Sequence, residues 1–108
     1  MYIYNITFNV EKEIEDEWLE YVKNTFIPQI LSGGLLHSSL MSKIMVDEVQ
    51  GISYSIQFTA DNQADIRKFI ATELDQIINK LHLKFSPKMV YFATELQVID
   101  KQKIDNRT

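Results

Sequence analysis

The sequence predicts an α+β fold in which four strands and two helices follow the order βαββαβ. Apolar and polar residues alternate in 2–10 and again in 52–60, which is the period of strands with one buried face. Apolar residues recur every three or four positions in 11–31 and in 61–85, which is the period of amphipathic helices. Glycine or proline follows both helical stretches, at Gly33, Gly34 and Pro87, and Gly51 precedes the second strand, where the chain is expected to turn.

Composition limits the classes of protein that fit. The 108 residues, 45% of them hydrophobic, suffice for one packed domain, which we place at 1–100, with a polar C-terminal tail at 101–108. A formal net charge of −4 disfavours nucleic acid and anionic membranes as partners. No cysteine is present, which excludes disulfides, thiolate metal ligands and cysteine nucleophiles. The chain shows neither a signal-peptide pattern nor an apolar run of the ~20 residues that span a bilayer, so a soluble cytoplasmic protein is expected.

The first strand and the first helix each have one apolar face. In 2–10 the face that carries Tyr4 and Phe8 is expected to meet the core. In the helix, acidic residues crowd the first half, where they complement the positive end of the helix dipole. The arc expected to pack on the sheet contains Ile14, Trp18, Tyr21, Val22, Thr25 and Phe26.

Pro28 interrupts this first helix. It cannot donate a hydrogen bond to the carbonyl of Asn24, and its ring disfavours a helical conformation at Ile27. Two outcomes are open: a kink, or a stop followed by a short second helix that begins at Pro28. Gly33 and Gly34 are expected to end the segment through a left-handed conformation. We expect an architectural role for Pro28.

The second half of the chain repeats the pattern. An edge strand is expected at 35–46, a turn at 47–51, a central strand at 52–60 and a last strand at 89–99. Asp61 is expected to cap the second helix. The buried stripe of that helix is predicted to be Ile66, Ile70, Leu74, Ile77, Ile78 and Leu81.

This element order predicts a ferredoxin-like split βαβ sandwich. We expect a four-stranded antiparallel sheet in the spatial order 4-1-3-2, with both helices on one face. Strands 1 and 3 lie at the centre, which suits the two segments that alternate most regularly. We expect this central pair to be the one parallel exception.

The outward face of the central strands is polar but uncharged. Interface cores are depleted of charge, whereas a solvated sheet face normally carries Lys, Glu or Arg. Self-association into a homodimer is therefore predicted through this face, at Asn5, Thr7, Ser53, Ser55 and Gln57.

The aromatic residues allow two interpretations, a plain core or the wall of a pocket for a small apolar or aromatic ligand. The six expected between sheet and helices are Tyr4, Trp18, Tyr21, Tyr54, Phe58 and Phe92. If a pocket exists, Tyr4, Trp18 and Tyr54 are its predicted ligand-binding residues. The core interpretation is preferred because large aromatic residues usually pack.

No catalytic residue, cofactor or metal site is predicted. The carboxylates of the first helix lie along one solvated stripe, whereas hard cations need ligands that converge. His37 and His82 are the only histidines, and no metal-binding or phosphate-binding motif contains them.

Several stretches resemble one small family, the domain of unknown function numbered four-two-eight-six. They are "MYIYNITFNV", "EDEWLEYVKNTFIPQIL", "ISYSIQFTA" and "FATELQVI". The most specific marks are Tyr4, Asn5, Trp18, Ile27, Pro28, Gly34, Tyr54 and Gln57. A histidine commonly precedes the Ile-Pro of this family and an arginine commonly follows the phenylalanine of the last strand. This chain has Phe26 and Ala93 there, so any chemistry that depends on those residues is expected to be missing.

The resemblance implies membership of the dimeric α/β-barrel superfamily, whose ferredoxin-like subunits pair their sheets face to face. That superfamily includes cofactor-independent monooxygenases, haem-degrading enzymes and muconolactone isomerases. Asn5, Trp18 and His37 match in type a set that some haem-degrading relatives use, although strand alternation points Asn5 away from Trp18. The main hypothesis is a non-catalytic homodimeric binding or interaction module. The alternative is a monooxygenase-like or haem-degrading-like enzyme in which Tyr or Trp polarises a bound phenolic substrate.

Overall fold

Four strands form one sheet in the spatial order β2-β3-β1-β4 in a computed structural model of the chain, which describes residues 1–46 and 50–104. The strands are β1 (Tyr2–Val10), β2 (Ser38–Lys43), β3 (Ile52–Ala60) and β4 (Met89–Gln97). The predicted order is confirmed. Of the turn predicted at 47–51, residues 47–49 lie outside the described residues.

The central pair is antiparallel, so the predicted parallel exception is wrong. Tyr2 lies opposite Ala60 and Val10 opposite Ile52. The reason is topological. The helical connection between β1 and β2 leaves these two strands running in the same direction. The chain then reverses between β2 and β3, so β3 runs antiparallel to both. Every neighbouring pair of described strands is therefore antiparallel.

The first helix, α1, continues through Pro28 instead of stopping there. A 3₁₀ turn (Lys12–Ile14) leads into α-helix Glu15–Tyr21, a π-helical segment Val22–Phe26 and α-helix Ile27–Ser32. Ile27 keeps helical angles (φ −63°, ψ −49°), so the expected loss of helical conformation before Pro28 does not occur. The N–H of Ile27 donates to the carbonyl of Val22, five residues back. The wider π-helical turn accommodates Pro28 within a continuous helix.

The π-helical segment also aligns the buried residues of α1. Trp18, Val22, Phe26 and Ile30 are spaced four residues apart, and each is at most 1% exposed. At 100° per residue this spacing drifts by ~40° per step, and a wider turn removes the drift. Thr25, predicted to be on the buried arc, is exposed for the same reason.

The second helix, α2, has the same construction. It consists of α-helix Gln63–Phe69, a π-helical segment Ile70–Leu74 and α-helix Asp75–Phe85. Its predicted stripe is buried except for Ile70, which is half-buried, and Phe69 joins it. The cap is Asn62 and not Asp61: the Asn62 side chain accepts a hydrogen bond from the N–H of Asp65 at 2.9 Å.

Helix and strand ends differ modestly from the prediction. Gly34 takes the left-handed conformation (φ 80°) after α1, as expected, while Gly33 stays helical. β2 is shorter than the predicted 35–46, although its pairing with β3 extends at both ends through the N–H groups of His37 and Ile44. β4 ends at Gln97, two residues earlier than predicted.

The core lies between one sheet face and both helices. Tyr4, Phe8 and Tyr54 point into it, as predicted. Phe92 does not: it lies opposite Thr7 on the other face and is 63% exposed. The alternation of β4 is offset by one residue from the prediction, so Tyr91 points inward in its place.

Candidate functional site

Trp18 lies at the centre of the inner aromatic cluster, which we define as Trp18 and Tyr54 with Phe8. Its side chain is fully buried. The indole ring centroid is 5.2 Å from that of Phe8 and 5.2 Å from that of Tyr54. The indole N–H donates to the Met89 thioether sulfur at 3.2 Å. The predicted burial of Trp18 beside Tyr54 is confirmed, and its donor is engaged within the chain.

Tyr54 joins this cluster to the start of α1. Its hydroxyl donates a hydrogen bond to the carboxylate of Glu15. Burial, and then this hydrogen bond, raise the pKa of Tyr54 well above its ordinary value. Tyr54 is therefore a neutral donor that is already engaged. A role in polarising a phenolic substrate would require both Trp18 and Tyr54 to give up their present partners.

Tyr4, the third predicted ligand-binding residue, lies elsewhere in the core. It is opposite Phe58, whereas Tyr54 is opposite Phe8. The two tyrosines are thus separated by about four residues along the sheet, ~13 Å. The Tyr4 ring packs edge-on against Phe69 with centroids 6.0 Å apart, and burial raises the pKa of Tyr4 to about 12. The structure brings Trp18 and Tyr54 together, but not Tyr4.

The three residues that match the haem-degrading set do not form one site. Asn5 lies on the face of the sheet opposite the core, and its side chain donates to the hydroxyl of Thr7 at 3.1 Å. Trp18 lies in the core. The His37 ring nitrogen lies 3.2 Å from the carboxylate of Asp61 at the sheet edge. Phe26, where the family commonly has histidine, packs on Phe8 with ring centroids 5.8 Å apart.

The second candidate site is the outer face, the side of the sheet away from the helices. The strand register places fifteen residues on it: Ser38, Leu40, Ser42, Ser53, Ser55, Gln57, Thr59, Ile3, Asn5, Thr7, Asn9, Val90, Phe92, Thr94 and Leu96. None of them is charged. The depletion that the sequence showed on the two central strands thus extends across all four strands.

Polar side chains on the outer face bond to one another. The hydroxyl of Ser55 donates to the Asn5 side-chain carbonyl at 2.6 Å. The amide of Asn9 donates to the hydroxyl of Ser53 at 3.1 Å. Groups that are satisfied within the face lose less on desolvation than groups that rely on water. All five predicted interface residues lie here, and each is half-buried.

Sequence reasoning missed the apolar part of this face. Leu40, Val90 and Phe92 are exposed to 63%, 62% and 63%, respectively. A signal was present in β4, where Val90, Phe92 and Leu96 alternate with a second set that includes Glu95 and Gln97. An edge strand that turns exposed apolar side chains away from its own core is typical of a surface that another molecule covers.

The described cavities lie outside the inner aromatic cluster. A small one of about 120 Å³ opens on the outer face between Thr7, Ser53 and Phe92. A larger one of about 410 Å³ lies at the end of the sheet, where Lys12, Gly51 and Lys88 line it. Among the described residues, no group of three or more His, Asp and Glu side chains could hold a metal ion. None of the described helices is long and apolar enough to cross a membrane.

The element order and the sheet topology define a class, the ferredoxin-like domains. A dimeric ferredoxin-like protein from an uncultured marine organism aligns with 94% of this chain and 98% of its own, at TM-score 0.65 and 11% identity. An ethyl tert-butyl ether D family protein from Bacillus halodurans aligns with 92% and 100%, at TM-score 0.68 and 15% identity. A candidate antibiotic biosynthesis monooxygenase from Deinococcus radiodurans aligns with 98% and 100%, at TM-score 0.64 and 17% identity.

The family is shown by the match of the amino-acid sequence. Residues 1–99 match the family described as Domain of unknown function (DUF4286), and the chain belongs to it. No curated protein matches the chain. At these identities the structural likenesses show the fold alone, because one fold can support many functions.

Proposed function

We propose that this protein is a non-catalytic homodimeric binding or interaction module of the cytoplasm that pairs two copies through the outer face. One observation carries the proposal: fifteen uncharged residues span the whole face on all four strands, with Leu40, Val90 and Phe92 exposed among them. Charge depletion and exposed aromatic residues are what the core of an interface shows. Structures of the same fold are described as dimeric, which is consistent with the proposal.

The energetics favour a second copy as the occupant. Covering Phe92, Val90 and Leu40 removes apolar area from water at roughly 25 cal/mol per Å². The side chains of Asn5 and Ser55 bring their own hydrogen bond into the interface, so they add little desolvation cost. A surface without charge meets an identical surface without repulsion, which suits an isologous two-fold contact.

A charge placed on the outer face tests the dimer. We expect wild type to have the mass of a dimer in light scattering, and Phe92→Lys and Ser55→Lys to shift it toward monomer, because an unpaired buried charge costs several kcal/mol. Leu83→Lys is the matched control, since Leu83 is 88% exposed on α2 and lies off the outer face. A monomeric wild type at all concentrations, or a Ser55→Lys variant that stays fully dimeric, would refute the proposal.

A small apolar or aromatic ligand is the second part of the proposal, with Trp18 and Tyr54 at its wall and Tyr4 further along the sheet. The indole is the only tryptophan of the chain, so its fluorescence reports on this cluster alone. Binding predicts saturable quenching of that fluorescence by an aromatic compound, and loss of the quenching in Tyr54→Ala with the circular dichroism spectrum retained. Fluorescence that stays unchanged throughout the titration would mean that the inner aromatic cluster binds no such compound and is only part of the core.

The enzymatic alternative is supported by likeness of fold alone, through relatives such as the candidate monooxygenase from Deinococcus radiodurans. Native mass spectrometry of freshly purified protein separates the two hypotheses. The binding-module proposal expects the mass of the bare chain or its dimer. Co-purification of haem, quinone or flavin would favour the enzyme.

A further inference from the structure

The cavity of about 410 Å³ at the end of the sheet, which we call the sheet-end cleft, is separate from the inner aromatic cluster. Three parts of the chain form its walls: the end of β1 with the start of α1, the entry to β3, and the entry to β4. Binding sites for small molecules commonly have volumes of roughly 300–1,000 Å³. The sheet-end cleft therefore has the size that a small molecule needs.

Main-chain geometry holds the three walls in place. The N–H of Glu11 donates to the carbonyl of Lys88 at 2.9 Å, which joins the wall from β1 to the wall from β4. Gly51, at the entry to β3, has φ 78°, and a Cβ there would lie 2.7 Å from the carbonyl oxygen of Val10. A side chain at this position would thus hold the wall from β3 away from β1. The cleft is formed by the folded backbone, so a ligand would not have to organise it.

The sheet-end cleft differs in charge from the rest of the molecule. Among the described residues that line it, Lys12 and Lys88 carry positive charge and Glu11 carries the one negative charge. The chain as a whole has a formal net charge of −4. A cleft lined by an excess of one sign of charge concentrates ions of the opposite sign. The lining therefore favours an anion with a single negative charge.

Both lysine ammonium groups are accessible to such an anion. Within residues 1–46 and 50–104, the Lys12 ammonium has neither an ion pair nor a hydrogen bond. The Lys88 ammonium lies 3.0 Å from the carboxylate of Glu13, and these side chains are 43% and 60% exposed. An exposed ion pair of this kind contributes little to stability, because water screens it. A bound anion can therefore replace Glu13 at Lys88 at little cost.

The wall from β4 adds an apolar surface to the two lysines. Pro87, Met89 and Val90 line the cleft beside Lys88. Met89 is buried, whereas Val90 is exposed. Apolar groups of a ligand that contact this wall leave water, which is favourable. The lining thus combines a site for one negative charge with a site for a short apolar group.

We infer that the sheet-end cleft binds a small monocarboxylate, with its carboxylate beside Lys12 and Lys88 and its apolar tail against Pro87 and Val90. A single negative charge balances the charge of the lining, whereas a dianion would exceed it. The inference goes beyond the proposed function. It does not depend on the homodimer, although Val90 also belongs to the outer face.

Titration with isovalerate, a branched monocarboxylate, tests the site when it is followed by NMR of the nitrogen-labelled wild-type protein. We expect saturable shifts centred on the backbone amides of Lys12, Gly51 and Lys88. Isovaleramide, the uncharged isostere, should bind at least about fivefold more weakly, because charge-assisted hydrogen bonds are the stronger ones. Equal affinities for the two compounds, shifts that do not saturate, or shifts centred outside the cleft would overturn the inference. Tighter binding of inorganic phosphate at the same ionic strength would overturn the choice of a monocarboxylate.

Neutralising the lysines gives a second measurement. We expect Lys12→Gln combined with Lys88→Gln to raise the dissociation constant for isovalerate by at least about tenfold, with the circular dichroism spectrum unchanged. Lys68→Gln combined with Lys101→Gln is the matched control, because it removes the same charge from exposed positions outside the cleft. The control should keep the wild-type constant. An unaltered constant in the cleft variant, or an equal rise in both variants, would refute the inference, since the second result would reflect net charge alone.

Discussion

Trp18 shows how a single residue combines three kinds of contact. Its ring packs on two aromatic rings, its N–H is satisfied by the sulfur of Met89, and none of its surface reaches water. A polar atom can be buried without penalty only when it has such a partner. The pair Trp18–Met89 ties α1 to the start of β4, residues that are far apart in sequence.

The substitution Trp18→Phe should lower the free energy of unfolding by about 1–3 kcal/mol. The smaller ring leaves a cavity and removes the donor to Met89. Urea unfolding followed by circular dichroism measures the change, with exposed Leu83→Ala as a control expected within about 0.5 kcal/mol of wild type. A change no larger than that of the control, or wild-type indole emission typical of water, would contradict the structural assignment.

The titration of Tyr4 makes the free energy of unfolding depend on pH in the alkaline range. Burial, and next the charges of Tyr91 and Glu95, raise its pKa from 10.0 to about 12. Between these values the unfolded phenol has lost its proton and the folded one has kept it, so the unfolded state binds fewer protons and stability falls as pH rises. Below a pH of about 10 the phenol keeps its proton in both states, so the stabilising contribution of Tyr4 has its full value.

We expect Tyr4→Phe to flatten this decline. The slope that Tyr4 contributes is at most about 1.4 kcal/mol per pH unit, and phenylalanine cannot titrate. Urea unfolding of wild type and variant from about pH 9 to about pH 11.5 makes the comparison, and titrating lysines affect both proteins alike. Parallel curves for the two proteins would mean that Tyr4 does not hold its proton more tightly in the folded state.

At the scale of elements, both helices contain a π-helical segment, Val22–Phe26 in α1 and Ile70–Leu74 in α2. In α1 this segment aligns four buried residues that are spaced four apart, Trp18, Val22, Phe26 and Ile30. A regular α-helix would rotate such residues off the sheet within three turns. The strict spacing of four is present in the sequence of α1, and it indicates a wide turn, because residues at 100° per residue would not stay on one face at that spacing.

The start of α2 gives a sharp test of one element boundary. Asn62 accepts the N–H of Asp65, whereas Asp61 pairs with His37 at the surface. We expect Asn62→Ala to cost about 1 kcal/mol and Asp61→Ala less than half as much, because a lost cap leaves an unsatisfied donor and a contact between exposed polar side chains is weak. Thermal unfolding of the two variants decides it. A larger loss of stability in Asp61→Ala than in Asn62→Ala would indicate that Asp61 is the cap.

At the scale of the whole molecule, the two faces of the sheet differ in composition and in surroundings. Its inner face meets both helices and forms the core, and its outer face is uncharged from edge to edge. Because strand side chains alternate, each strand contributes to both surfaces with no change in backbone. The offset of β4, which turns Phe92 outward, gives the outer face its largest exposed ring.

The proposed homodimer predicts that thermal stability depends on protein concentration. The midpoint of unfolding should rise as the concentration of wild type is raised about a hundredfold, since association stabilises the folded chain by mass action. Phe92→Lys should lose that dependence while Leu83→Lys keeps it. A wild-type midpoint that stays constant across the series would show that folding is not linked to association.

The sequence by itself determined the element order, the strand order, the inner face of the central strands and the family. The element order and the inner face follow from local periodicity, which each segment carries in its own residues, as in the alternation around Tyr4 and Phe8. The strand order follows from the element order, and the family from residues matched over 1–99. The uncharged set from Asn5 to Gln57 was equally readable, because it needed only the alternation of two strands.

Tertiary structure alone decided the rest. The alternation of β4 depends on its register with β1, which sets Phe92 opposite Thr7 and so turns it to the outer face. The partners of buried donors, Met89 for Trp18 and Glu15 for Tyr54, join segments far apart in the chain. Contacts of this kind are not encoded in any local pattern, because they depend on which elements the fold brings together.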